Sequence, residues 1–296
     1  MTQTPAETGE SEGVVSRRGF LASAGVVSSY VAAGVAGFAG GALTVNAASA
    51  NTPEKEAKLR QQQQSATIPF YGDYQAGVMT PIQAYGTYFA FNLKPTTTLD
   101  QARIMMQLLT NDASRLVVGK PAIPDADPYL ATEPARLTAT FGFGPGFFSK
   151  LGLQGKTPAG FSDLPAFSID KLQPEFSGGD LVIHVAADNP LTVAHAARQL
   201  TRTANTFTTP LWSQTGFIRP QYGAPTDQTG RNLFGQVDGT VNPRTPKEFD
   251  AQVWASEGPR WFHDGTCLVL RRIQMDFAGW DKLDDNGKEA SIGRNL

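Results

Sequence analysis

The chain is poor in the residues from which many enzyme sites are built. Its 296 residues include one cysteine, Cys267, so an internal disulfide is excluded, and the apolar run TCLVLRRI around it predicts a buried thiol. The three histidines form no Cys/His cluster with zinc-ligand spacing, and no Gly-rich loop is followed by Lys-Ser or Lys-Thr. A sequence-recognisable zinc site and a phosphate-binding loop are therefore both excluded.

The chain also has little net charge. Its 25 basic and 27 acidic residues leave a net charge of -2, so we expect no nucleic-acid partner and no general attraction to anionic membranes. Hydrophobic residues make up 41% of the chain and include 18 phenylalanines. This is enough apolar material for the core of one large domain or of two ordinary ones.

Residues 1–50 have the pattern of an export signal. A polar leader reaches the run SRRGFL at residues 16–21, an apolar Ala/Gly/Val stretch continues to about Val45, and Ala48 and Ala50 suit cleavage near Asn51. The paired arginines resemble the twin-arginine signal and predict an exported protein, periplasmic or extracellular, that uses the twin-arginine machinery. The alternative is a retained anchor, because residues 19–45 are long enough to span a bilayer. The small residues that close the stretch favour cleavage.

The remaining chain predicts a tether followed by two α+β halves. Residues 51–66 are polar and Gln-rich and predict a flexible tether. Residues 67–220 predict the order β-α-β-β-α-β, typical of a ferredoxin-like unit, with strands at 85–93, 137–143, 180–186 and 207–218 and helices at 98–110 and 190–204. Residues 221–296 predict the start of a second half, with a strand at 266–277 and a helix from 278.

The run GQVDGTVNPR, at residues 235–244, places one acid on a tight turn. Gly235 and Gly239 lie on either side of Asp238 and allow backbone to approach a flat or bulky group closely. Asp-Gly is a strong turn dipeptide, and on turn chemistry alone a surface turn explains the run. Whether Asp238 has a function therefore has to be decided from the rest of the chain.

Five segments, in order, resemble the dye-decolorizing peroxidases, and specifically their exported branch, which includes deferrochelatase-type haem peroxidases. The segments are PFYGDYQAGVMTP, LTATFGFGPGFF, SGGDLVIHVAADNP, RNLFGQVDGTVNPR and GTCLVLRRIQMDFAGWDKL with the later IGR. The resemblance covers most of residues 68–296. The Gly-x-x-Asp-Gly-Thr core at residues 235–240 is the motif that defines the family.

The resemblance implies two ferredoxin-like halves, of the dimeric α+β barrel type, with haem b held mostly by the second. Asp238 would be the distal acid/base that accepts a proton from hydrogen peroxide and returns it to the leaving oxygen. Gly239, Thr240 and Val241 would lie against the porphyrin, and dyes, phenols or similar organic donors would supply electrons. Twin-arginine export moves folded proteins, which implies that the cofactor is loaded before export.

The sequence departs from the family pattern at the iron ligand. The family's proximal His and a distal Arg lie beyond the IGR segment, and both positions fall after Leu296, so we assign no iron ligand and expect a C-terminally incomplete chain. His184, His195 and His263 are predicted to be a sheet residue, a packing or hydrogen-bonding residue and a surface residue. Tyr74 stands where the family usually has His.

Two other functions stay open at the level of sequence. The chain could be a haem-handling component of iron uptake that works with ferrous-iron uptake proteins. It could also be a non-catalytic fragment whose half-domain leaves apolar strand edges unpaired, which favours aggregation. A homo-oligomer is compatible with each of these.

Overall fold

Alternating apolar residues build a four-stranded antiparallel sheet in the computed structural model of the protein. The structure describes residues 53–218 and 230–295. The predicted signal peptide at 1–50 and the proposed boundary near residue 220 lie outside the described residues.

The strands and helices follow one another in the predicted order through the first half. The strands are β1 (Tyr85–Leu93), β2 (Thr138–Phe143), β3 (Leu181–Ala187) and β4 (Thr208–Phe217). The helices are α1 (Pro53–Ser65), α2 (Leu99–Leu116), α3 (Pro145–Lys150), α4 (Pro190–Ala204), α5 (Pro246–Gln252), α6 (Phe277–Trp280) and α7 (Asp285–Ile292). Short 3-10 helices occur at Pro128–Ala131, Gln154–Lys156, Pro174–Phe176 and Arg260–Phe262.

The sheet has the strand order β2-β3-β1-β4, with β1 and β3 at its centre. Tyr85 pairs with Ala187 and Phe91 with Leu181 along the central pair, while β4 pairs with the other edge of β1 and β2 with the other edge of β3. Helices α2 and α4 connect β1 to β2 and β3 to β4. This arrangement confirms the predicted ferredoxin-like α+β order for the first half.

Helices α2 and α4 begin where the sequence predicts. Thr98 accepts a hydrogen bond from the backbone N–H of Gln101, and the Gln101 side chain accepts one from the backbone N–H of Thr98, so the capping box is present. Asn189 caps α4 by accepting from the N–H of Leu191 at 2.8 Å. Both helices bury one face against β1 and β3, in a core that includes Phe91, Met105, Leu109, Ile183, Val185 and Leu200.

Two buried aspartates bracket β3 and bind β1 at both of its ends. Asp180, 3% exposed, accepts hydrogen bonds from the Leu93 N–H at 2.7 Å and from Lys150 Nζ at 2.6 Å. Asp188, 6% exposed, accepts from the Ala84 N–H at 2.8 Å and from Arg136 Nη1 at 2.8 Å. Each buried carboxylate therefore pairs with one backbone donor and one cationic side chain.

Within the segment predicted to be a flexible tether, residues 53–65 form helix α1. The end of this helix is bonded to the loop before β2: the N–H of Ala135 donates to Gln64 O at 2.9 Å, and that of Arg136 donates to Ala66 O at 2.7 Å. A polar composition favoured an irregular segment, but Glu, Lys, Arg and Gln are all good helix formers.

The alternative of a retained membrane anchor concerns residues 19–45, which lie outside the described ranges. Among the helices of residues 53–218 and 230–295, none combines the length and apolar character that a membrane crossing needs.

The strand predicted at 266–277 is wrong. Residues 266–276 have no regular structure, and only α5, α6, α7 and a 3-10 turn form between residues 230 and 295. Strand formation requires a backbone partner, and no described segment pairs with this one. Its apolar side chains are exposed as a result, and Cys267, predicted to be buried, is exposed too.

Replacing Asp180 with Ala should destabilise the fold by about 1–3 kcal/mol, since it leaves the N–H of the buried residue Leu93 without an acceptor. Urea unfolding of the chain measures the change. Asp163→Ala, at an exposed loop position, is the matched control and should change stability by no more than about 0.5 kcal/mol. Equal stability of the two variants would contradict the role given to Asp180.

Candidate functional site

The motif loop, residues 230–242, folds back on itself as a narrow hairpin. Arg231 and Val237 form an isolated antiparallel bridge. The N–H of Asn232 donates to Gln236 O at 2.8 Å, and the N–H of Asp238 donates to Gly230 O at 2.9 Å. The backbone on both sides of Asp238 is therefore fixed by short-range hydrogen bonds.

Asn232 organises the turn from within. Its Oδ1 accepts hydrogen bonds from the N–H groups of Phe234 at 3.0 Å and Gln236 at 3.3 Å, in the manner of an Asx turn. Its Nδ2 donates to Asp238 Oδ2 at 3.4 Å. Sequence reasoning gave Asn232 no role, although an Asn three residues before Gly235 is a recognisable turn signal. Asn232 both closes the loop and orients the exposed carboxylate of Asp238.

Gly239 occupies a backbone conformation that suits glycine. Its φ is +83°, and a Cβ there would lie 2.7 Å from Asn242 Nδ2, so a larger residue would be strained and would displace Asn242. The next two residues point outward: Thr240 is exposed, and Val241 is 91% exposed. The three residues that the resemblance places against a porphyrin thus form one accessible edge next to Asp238.

Two arginine side chains hold the loop in place, one from outside it and one from within it. The Arg294 guanidinium, from the IGR segment, donates to Val237 O, and Arg231 Nη1 donates to Gly235 O at 2.6 Å. On the far side, Glu248 Oε2 accepts from the N–H groups of Arg244 at 2.8 Å and Thr245 at 2.9 Å, which caps α5. These backbone hydrogen bonds lower the pKa of Glu248 below its ordinary value. The IGR segment and the motif, distant in sequence, meet at one place.

An aromatic cluster packs beneath the loop. Phe234 stacks on Trp280 with ring centroids 4.6 Å apart and meets Phe277 edge-on at 5.4 Å. Leu233, next to it in sequence, is 71% exposed. The loop therefore joins an apolar base to an outer edge that carries one carboxylate and two exposed apolar side chains, Leu233 and Val241.

The motif loop, residues 230–242, offers a flat cofactor an exposed carboxylate and apolar side chains but no histidine or cysteine that could ligate its iron. An exposed carboxylate beside exposed apolar side chains and a close-approach glycine suits the distal face of a flat apolar cofactor. The iron would also need an axial nitrogen or sulfur ligand. In the described ranges no group of three or more metal-ligating side chains comes together, and no histidine lies in the motif loop.

The three histidines occupy the structural positions predicted for them. His184 lies in β3, where its ring stacks on Tyr88 at 4.0 Å and burial lowers its pKa to about 4. His195 is buried in α4, with Nε2 2.9 Å from Asp125 Oδ2. His263 is exposed in a turn.

Tyr74 belongs to a separate aromatic pair. Its ring stacks on Trp254 with centroids 4.2 Å apart, and its hydroxyl donates to Asp250 Oδ1 at 3.4 Å. Partial burial and the neighbouring carboxylates Asp250 and Asp264 raise its pKa above the ordinary value. Tyr74 therefore connects the segment before β1 to the region after α5.

A ferredoxin-like half joined to a carboxylate-bearing hairpin defines an α+β protein whose candidate site lies on its second half. Residues 75–218 match the N-terminal family model of the Dyp-type peroxidases, and residues 229–296 match the C-terminal one. The chain belongs to the Dyp-type peroxidase family.

Individual relatives agree with this assignment. A dye-decolorizing peroxidase of Thermobifida fusca is 34% identical over 297 residues, which cover 95% of this chain and 68% of that protein. A deferrochelatase of Yersinia pestis is 29% identical over 296 residues, 95% of this chain and 66% of the relative.

Solved structures extend the likeness to the fold. The crystal structure of a DyP-type peroxidase from Cellulomonas bogoriensis superposes with a TM-score of 0.75 at 39% identity, over 79% of this chain and 65% of that one. An oxyferrous/water mixed complex of DtpA from Streptomyces lividans gives a TM-score of 0.74 at 37% identity, over 79% and 64%. Dyp-type peroxidases are haem enzymes with two ferredoxin-like domains, so the fold class and cofactor class predicted from sequence are confirmed. The chain spans about two thirds of the length of these relatives.

Proposed function

We propose that the protein is a haem b peroxidase that uses hydrogen peroxide to oxidise dyes, phenols or similar organic donors. The observation that carries the proposal is the position of Asp238, an exposed carboxylate on a hairpin held by its own backbone and by Asn232. Family membership supports the haem and the peroxide chemistry. The proximal ligand and the distal Arg implied by the family are not assigned to residues of this chain.

In this proposal the chain's own residues handle protons and shape the distal face. Bound haem supplies the redox chemistry. Asp238 accepts a proton from hydrogen peroxide and returns it to the departing oxygen, which leaves as water. Asn232 keeps the carboxylate oriented through its bond to Oδ2. Gly239, Thr240 and Val241 provide the surface on which the flat cofactor rests.

Asp238→Asn keeps the shape of the side chain and removes its ability to accept a proton. We expect kcat/KM for hydrogen peroxide to fall by about 10²- to 10⁴-fold in the haem-loaded protein, the range of a lost general acid-base group. Peroxide-dependent dye oxidation at fixed dye concentration measures this. Asp163→Asn, an exposed acid outside the loop, should retain full activity, and an Asp238→Asn variant of equal activity would rule out the proposed role.

A second candidate function is iron release from haem, which the 29% identity to the Yersinia pestis deferrochelatase favours. If the protein handles haem for iron uptake, incubation with haem and a reductant should yield ferrous iron and intact protoporphyrin. A ferrous-iron chelator and porphyrin fluorescence together measure the two products. Iron released only together with destruction of the porphyrin, or no release at all, would reject this function.

The export route is a further part of the proposal, supported by the Arg17-Arg18 pair and the apolar stretch after it. Replacing both arginines with lysine preserves charge and should leave full-length precursor in the cytoplasm. Cell fractionation and immunoblotting measure its location. Normal export of the Lys-Lys variant would contradict the twin-arginine route, and a full-length membrane-bound product of the wild-type chain would favour the retained anchor.

A further inference from the structure

An open aromatic groove lies between the first half and the 3-10 helix Arg260–Phe262. Its volume is about 970 Å³, near the upper end of ordinary ligand pockets. None of its lining residues belongs to the motif loop, so it is distinct from the candidate haem surface. Its apolar walls are formed by Phe143, Phe147, Phe148, Leu153 and Trp261.

The aromatic walls are held by their own contacts. Phe143 and Phe147 lie 4.4 Å apart between ring centroids, and Phe148 lies 5.6 Å from Trp261. Trp261 Nε1 donates to Lys156 O at 2.9 Å, which fixes the indole against the first half. Trp261 is 47% exposed, which leaves surface available to a bound molecule. The groove is therefore prepared for a planar aromatic group.

The rim of the groove is positively charged. Lys156 and Arg260 are both exposed lining residues, and no lining residue is acidic. Neither cation forms an ion pair with any residue in the described parts of the chain. Two uncompensated cations beside an aromatic wall are complementary to a ligand that is aromatic at one end and anionic at the other.

We propose that this groove binds a planar aromatic carboxylate of one or two rings. The rings lie against Phe147, Phe148 and Trp261, and the carboxylate faces Lys156 and Arg260. The site is independent of the proposed peroxidase chemistry, because its residues and those of the motif loop do not overlap. A cationic or a neutral ligand of the same shape lacks the attraction to the rim and binds more weakly.

Isothermal titration calorimetry with 2-naphthoate tests the proposal on the full chain, with and without haem. We expect one molecule bound per chain in both forms, and roughly fivefold weaker binding in Lys156→Gln and in Arg260→Gln, as expected for exposed charge pairs. Lys171→Gln, an exposed cation outside the groove, is the matched control and should bind like the wild type. Naphthalene-2-methanol, the neutral analogue, should bind at least fivefold more weakly than the acid.

A second measurement does not depend on any variant. Bound 2-naphthoate should slow acetylation of Lys156 Nζ and leave that of Lys171 unchanged, as followed by mass spectrometry. The proposal is overturned by absent binding, by equal binding of the neutral analogue, by binding that haem abolishes, or by equal protection of both lysines. Asp238→Asn should leave naphthoate binding unchanged, so failure of the groove and failure of the peroxidase proposal are told apart.

Discussion

The bracketing of β3 by two buried carboxylates is the constraint on which the first half depends. Asp180 and Asp188 each accept a backbone N–H from one end of β1 and a charged side chain from outside the sheet. They set the register of the central strand pair, on which α2 and α4 then pack their apolar faces. A carboxylate buried with such partners is costly to disturb, because its removal leaves a buried donor unpaired.

The described part of the second half is stabilised by other interactions than the first half. Its motif loop is held by hydrogen bonds between residues close in sequence, with Asn232 at the centre, and by a hydrogen bond from the more distant Arg294. Such a loop keeps its form without a sheet beneath it. Its acid is therefore fixed on an accessible edge, as the proton-transfer role proposed for Asp238 requires.

The same difference explains what could be predicted from the sequence. The helices predicted at 98–110 and 190–204 and the strands predicted at 85–93 and 180–186 depend on local signals, and the structure confirms each of these elements. The strand at 266–277 and the burial of Cys267 were wrong, since both require a pairing partner that local pattern does not report. The catalytic role of Asp238 was predicted through the motif and stays a prediction. The contact of Asn232 with Asp238 depends on hydrogen-bond geometry that composition does not show.

Aromatic contacts join the first half to the segment that follows the motif, and the sheet does not reach that segment. Trp261 meets Phe148 and donates to the backbone of Lys156, and Tyr74 stacks on Trp254, so two separate pairs join the first half to the segment that follows the motif. A pair of stacked rings keeps most of its attraction when the rings shift slightly. A strand ladder depends on a fixed pairing of residues across the two strands. The cation-rimmed groove lies beside one of these pairs, that of Phe148 and Trp261, and both rings line it.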